Sequence, residues 1–260
     1  GLAGAAWATA ISYMASAAYT VWFFVFGKSE LKLTTSCFKL RPVIIGEIAS
    51  IGSVTLARQG TISVLSIILN NALFNYGGEL SLSSYGIINR VMMFANFPVL
   101  GITQGFVPIV GYNFGAKLRK RVRDLIFLSI KSATAIALII FTIIMLLTPQ
   151  IVGVFTQDAE LITLATPALR LVFLATPLLA INLIGSAYFQ AVGKAMPALL
   201  LTLTKQGFFL IPLILLLPRW FGLNGIWYSF SIADVGAALV TFIYLRREMK
   251  KELSEGGVAS

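Results

Sequence analysis

The sequence predicts an all-α membrane protein with seven transmembrane helices, and three observations lead there. Of its 260 residues, 58% are hydrophobic and only 12% charged, against about 25% charged in ordinary soluble domains, and the mean hydropathy is +0.88. Apolar runs of about 20 residues recur, and a run of that length at 1.5 Å rise crosses a hydrocarbon core of about 30 Å. Finally, no segment alternates apolar and polar residues as a membrane barrel strand does.

The first predicted span covers about residues 2–26 of a segment, 1–27, that opens GLAGAAWATAISYMASAAYTVWFFVF. It has no methionine or basic leader, so it reads as an internal membrane helix rather than a signal peptide. That suggests a chain that is part of something longer. A polar stretch follows, GKSELKLTTSCFKLR, predicted to be a linker over 28–43. Turns and charge clusters then punctuate six further spans at about 44–75, 84–115, 124–147, 160–191, 196–217 and 223–245, a six-helix unit over 44–247 with a tail at 248–260.

Three basic clusters fix the predicted topology. They are Lys28, Lys32, Lys39 and Arg41; Lys117, Arg119, Lys120, Arg121 and Arg123; and Arg246, Arg247, Lys250 and Lys251. An even number of spans separates each pair, so all lie on one side, which the positive-inside rule makes cytoplasmic. The linker and tail are therefore expected in the cytoplasm. Loops on the other side hold Glu79, Asp158 and Glu160, with Arg219 as their only basic residue. The net charge of +10 is thus a topology signal rather than a nucleic-acid footprint. A single Cys37 and no histidine leave no disulfide framework, no Cys/His zinc site and no histidine acid/base chemistry, and no nucleophile or metal constellation suggests an enzyme.

Polar side chains inside the spans are the candidate functional groups. An ionisable residue near the bilayer centre costs roughly 2.5–3.5 kcal/mol on insertion scales, so it faces protein or water and has a partner. Lys205 precedes Pro218 by 13 residues and Asp234 follows Gly222 by 12, which puts both roughly 18–20 Å below the outer surface on adjacent antiparallel helices. They are expected to pair, either as a static tie or as a switchable pair lining a pathway. Arg58, Gln59, Asn70, Asn71, Asn182 and Gln190 are further interior polar groups, the amides suited to helix-to-helix hydrogen bonds. Arg90 and Arg170 lie near outer ends, where a long side chain snorkels to the interface, and Glu47 lies close to the cytoplasmic end.

The span over 84–115 contains many residues that weaken helices. On a helical wheel, Pro98, Gly101, Gln104, Gly105, Pro108, Gly111, Gly115 and Arg90 fall in one stripe about 140° wide. The pairs Gly101/Gly105 and Gly111/Gly115 have the GxxxG spacing that lets backbones approach closely. The prolines each remove a backbone hydrogen bond and favour a bend, as do Pro167, Pro177, Pro197 and Pro212 later in the chain. Helices able to bend around a polar interior suit alternating access.

These residues resemble a family. The run YGIINRVMMFANFPVLGITQGFVPIVGYNFGAKLRKRV is similar to the most recognisable segment of bacterial MATE (multidrug and toxic compound extrusion) transporters. ARQGTISVLSIILNNAL, SAYFQAVGKAMPALLLTLTKQGFFLIPLILLLP and FGLNGIWYSFSIAD follow the same family in order. The similarity is greatest to the branch of MepA-like and DinF-like exporters. It implies that the chain corresponds to span 6, the inter-lobe linker and the six-helix C-terminal lobe of a twelve-helix MATE fold, the N-terminal lobe being absent. The implied function is half of a cation-coupled antiporter exporting lipophilic, often cationic compounds, with proton or sodium as coupling ion and no other cofactor. Val54 and Ser231 stand where the family often has proline, and Lys205 where it often has arginine. The tenth span has no carboxylate near Leu179, which argues against a sodium site there. Two alternatives are a flippase for lipid-linked sugars, favoured by Arg58, Arg90, Arg170 and Lys205 as phosphate partners, and a non-transporting membrane subunit.

Overall fold

A computed structural model describes residues 2–26 and 42–256. Every regular element among them is helical. Helix α1 is Leu2–Phe26, α2 Pro42–Gly115, α3 Arg119–Phe155, α4 Ala159–Phe173, α5 Leu179–Ala191, α6 Ala195–Leu203, α7 Ile211–Leu216 and α8 Pro218–Gly256. A 3-10 turn at Thr176–Leu178 joins α4 to α5, and a π-helical segment at Thr204–Leu210 joins α6 to α7. By its internal contacts the chain forms two units, Gly1–Ser53 and Val54–Ser260.

The first unit is dominated by α1. It carries no charged residue, and Trp7, Tyr13, Met14, Tyr19 and Trp22 are all exposed. A helix apolar all round is one suited to lipid or to a protein interior. The expected linker over 28–43 lies outside the described residues apart from its last two positions, and so does the end of the expected tail, 257–260.

The second unit contains the core. Five helical stretches among the described residues are long and apolar enough to cross a membrane: Gln59–Gly115, Arg119–Phe155, Ala159–Ala191, Met196–Leu216 and Pro218–Lys250. They share large exposed apolar side chains, such as Phe127, Leu128, Ile139 and Leu146 on α3. A contiguous apolar surface of that kind in water marks a binding or membrane face. This is a multi-pass membrane protein.

Several expected boundaries move. The two spans expected over 44–75 and 84–115 are the two arms of α2, divided at Gly78, whose φ of 64° and ψ of −160° turn the chain without a loop. Only glycine adopts that backbone without strain. Ser81 secures the reversal by donating to Leu73 O at 2.6 Å and Gly78 O at 2.9 Å. Gly222, with φ 55°, makes the same kind of reversal inside α8, and a Cβ on nearby Gly225 would lie 2.6 Å from the Leu217 carbonyl. Both reversals meet, since Leu223 packs where a Cβ on Gly77 would stand, 2.9 Å away. The spans expected as continuous over 160–191 and 196–217 are instead each broken midway. The last helix runs to Gly256, past the expected end at 245.

Two apolar clusters stack along the helices of the second unit. One holds Leu69, Leu73, Ile88, Leu169, Phe173, Ile214 and Trp227, beside the glycine reversals. The other holds Val99, Phe106, Val110, Ile126, Ile184, Tyr188, Phe189 and Leu245, toward the basic corner at Lys117–Arg123. On α2 the first cluster ends at Val91 and the second begins at Val99; on α4–α5 the limits are Phe173 and Ala180, and on α8 they are Ala233 and Leu245. Asn96, Thr176 and Asp234 occupy the gap.

Candidate functional site

The polar layer between the two apolar clusters is the candidate site, and both of its broken helices converge there. The sequence LATPLL cannot continue α4 without interruption, because Pro177 has no N–H to give to Phe173 O and opposes the preceding turn. The chain answers with the 3-10 turn Thr176–Leu178. Carbonyls loosened at such a break need other donors. Ser231 on α8 supplies one, donating to Leu171 O at 2.5 Å. Ser231 is one of the two positions, with Val54, where the resemblance leads one to expect proline, and its hydroxyl has a definite task.

Facing this break, the π-helical segment Thr204–Leu210 presents Lys205. A π-helix has a wider turn and is found mostly as short insertions, frequently at functional sites. Lys205 Nζ lies 2.5 Å from Asp234 Oδ1 on α8, which bears out the pairing expected from equal depth on adjacent helices. The aspartate is buried, its side chain 10% exposed, whereas the lysine side chain retains 19%. Lys205 is the partner that Asp234 has among the described residues. Beside the pair lies a cavity of about 20 Å³, lined also by Met92, Asn96, Phe173 and Thr176, room for about one water molecule. Gln206 Oε1, next to Lys205, is buried with no hydrogen-bond partner among the described residues.

The other sequence-predicted residues are dispersed. Asn182 is buried on α5 and donates to Thr241 Oγ1 on α8 at 3.1 Å, the interhelical amide bond expected for it. Gly185, one turn on, makes the approach possible: a Cβ there would stand 2.3 Å from Thr241 Cγ2. Gln59 and Gln104 are exposed, and the side chain of Arg58 lies outside the described residues. Arg170 is exposed at its helix edge and donates from Nε to Thr148 Oγ1 at 3.2 Å. Arg90 is exposed on α2.

The glycine and proline stripe of α2 faces outward from the second unit. Pro98, Gly101, Gln104, Gly105, Pro108 and Gly115 are exposed, and a Cβ on Gly101, Gly105 or Gly115 would meet no described atom within 4 Å. Gly111 alone approaches a neighbour, 3.3 Å from Ala191 O. Helical φ/ψ continue through Pro98 and Pro108, the one departure in α2 being at Gly78. Pro177 lies in the 3-10 turn, and Pro212 stands in the first turn of α7, directly after the π-helical segment.

Sequence reasoning did not single out Asn96, Thr176 or Gln206. Asn96 stands alone in the apolar run MMFANFPV, and Gln206 follows Lys205 directly, so each carried a signal. Neither the π-segment nor the facing break could be anticipated from composition, and these bring Thr176 and Lys205 to one cavity with Asn96. Among the described residues no group of three or more acidic, cysteine or histidine side chains could hold a metal.

Comparison with known proteins places this arrangement. The family model MatE matches residues 55–216. The chain is 30% identical over 261 residues to the multidrug export protein MepA of Staphylococcus saprophyticus, covering 97% of this chain and 57% of the relative. It is 29% identical over 259 residues to MepA of Staphylococcus aureus, with the same coverage. The chain thus spans little more than half the length of the curated relatives it matches. Among solved structures, a multidrug resistance MATE family transporter of the MOP superfamily matches in its inward-facing conformation with TM-score 0.85 and 23% identity, over 96% of this chain and 58% of that one. An outward-facing conformation matches with TM-score 0.82 and 24% identity, over 98% and 57%. A MOP superfamily transporter from Pyrococcus furiosus, described as having a binding pocket of reverse polarity, matches with TM-score 0.80 and 25% identity, over 96% and 56%.

Proposed function

The chain belongs to the MatE family, and from that membership we propose that it forms the C-terminal lobe of a cation-coupled multidrug efflux antiporter. One observation carries the reading: 97% of the chain aligns with little more than half of a multidrug export protein. On this reading α1 is the last span of an N-terminal lobe, the two arms of α2 and the four later stretches are the six spans of this lobe, and the seven spans thread the cell membrane with linker and tail in the cytoplasm. It is a transporter rather than an enzyme. The outward stripe of α2 faces the other lobe across a cleft, where small side chains and Gln104 let lipophilic compounds pass close to the backbone. The likeness to both inward- and outward-facing structures supports a lobe that keeps its fold while it rocks. Coupling would use a proton or sodium.

A second reading, a flippase for lipid-linked sugars, is favoured by one feature: past Glu79 at the start of the α2 arm that follows Gly78, the exposed charge along 80–115 is Arg90. That polarity suits a phosphate better than a cation, so attraction for cationic drugs would fall to the other lobe.

The test joins the 260-residue chain to the N-terminal lobe of the Staphylococcus saprophyticus relative and measures ethidium accumulation in cells lacking their own exporters. The joined protein is expected to lower accumulation, and the chain alone to leave it unchanged. Saturable export by the chain alone, or none from a well-folded joined protein, would overturn the reading.

A further inference from the structure

We propose that Asp234 and Lys205 form a proton-exchange site within this lobe, Asp234 alternating between its ion pair with Lys205 and a protonated, neutral state. The inference rests on the exporter reading for its purpose but not for its chemistry.

Four observations support exchange over a static tie. First, the carboxylate is under-satisfied. An ionised carboxylate offers about four acceptor sites, and among the described residues Asp234 has the ammonium of Lys205 alone. A buried pair kept only for stability needs further hydrogen bonds to offset its desolvation. Second, the partner can leave. The Lys205 side chain is 19% exposed against 10% for Asp234, and its four-carbon stem is flexible. Third, the water-sized cavity touches both residues and is edged by Asn96 and Thr176, so a proton carrier can reach the carboxylate. Fourth, each of the two irregular segments gives one residue to the cavity wall, Thr176 from the 3-10 turn and Lys205 from the π-helix. A static tie between two helices requires neither.

The charge balance is simple. A hydronium ion gives its proton to one Asp234 oxygen and leaves as water, the carboxylate becomes a carboxylic acid, and the site passes from neutral to a net charge of +1 on Lys205. The released ammonium turns toward the opening and its own solvation. Among the described residues that line the cavity, no other is charged. The α2 arm presents Met92 and Asn96, and the turn presents Phe173 and Thr176. Tyr85 stacks on Phe230, one turn before Asp234, with centroids 6.2 Å apart.

The experiment is infrared difference spectroscopy of the purified chain in lipid nanodiscs, labelled with carbon-13 at the aspartate carboxyl. The sequence has three aspartates, Asp124, Asp158 and Asp234. The double variant Asp124→Asn with Asp158→Asn, both at exposed positions, leaves Asp234 alone without touching the site. Acidification is expected to raise a carbonyl band of protonated, water-poor aspartic acid in this double variant, and Asp234→Asn in the native background is expected to lack it. Absence of any such band in the double variant, or its persistence in Asp234→Asn, would overturn the proposal. Because the double variant retains the native pair, failure of Asp234→Asn to fold leaves the test intact. Ethidium export by the joined protein with no titrating band would sink the proton site while leaving the exporter reading in place; a band without export would do the reverse.

Discussion

At the residue scale, glycine has opposite meanings in different parts of this chain. Gly225 is fixed by backbone: a Cβ there would stand 2.6 Å from Leu217 C and O across the Gly222 reversal, and backbone cannot turn aside as a side-chain tip can. Gly101 would meet nothing described within 4 Å. Gly225→Ala is therefore expected to destabilise the chain by about 1–3 kcal/mol, the usual cost of overpacking. Gly101→Ala is expected to be neutral or stabilising by up to about 1 kcal/mol through helix propensity. Denaturant titration of both variants in detergent checks the contrast, and equal losses would mean that the stripe packs like the reversal. The sequence alone could not separate them. The wheel groups Gly101 with its stripe, but nothing local shows that the stripe points out of the lobe, because that depends on which α2 face the later helices cover.

At the element scale, the pair of irregular segments explains what was legible and what was not. The Lys205–Asp234 contact was readable because depth can be counted from helix ends, and 13 and 12 residues from two outer breaks give one level. The path to that contact was hidden. LTLTKQGFFL departs from helix-compatible composition only at Gly207 and VFLATPLLA only at Pro177, so one long span was the natural reading of each. Likewise, YGGEL read as the start of a loop, whereas Gly78 reverses the chain within one residue because its left-handed φ substitutes for a turn. The π-helix sets the register of Lys205: removing one residue from it rotates the lysine by about 100° relative to α7. Deleting the exposed Phe208 is thus expected to part Lys205 from Asp234 and cost about 3–5 kcal/mol, as leaving a buried charge unpaired does. If so, Lys205→Met added to the deletion costs little more, whereas additive losses in the unfolding titration would show that the segment does not act through the pair.

At the scale of the whole molecule, membrane residence and helical class were open in composition alone, and the family was open in the spacing of glycine, proline and glutamine along α2. The described residues hold five stretches long and apolar enough to cross, where seven spans were expected; one of the five lies in α2, which holds two helices divided at Gly78, and α1 is not among them. The polar layer between two apolar clusters is a property of assembled helices, since Asn96, Thr176, Lys205 and Asp234 come from four separate segments. The account reads this layer as the working interior of one lobe and the α2 stripe as its face toward another. The most direct measurement is ethidium release from proteoliposomes holding the chain joined to a relative's N-terminal lobe, with an imposed cation gradient of either proton or sodium. The account predicts release that follows one of the two gradients and stops when it is collapsed. Release indifferent to both, or none from well-folded protein, would contradict it.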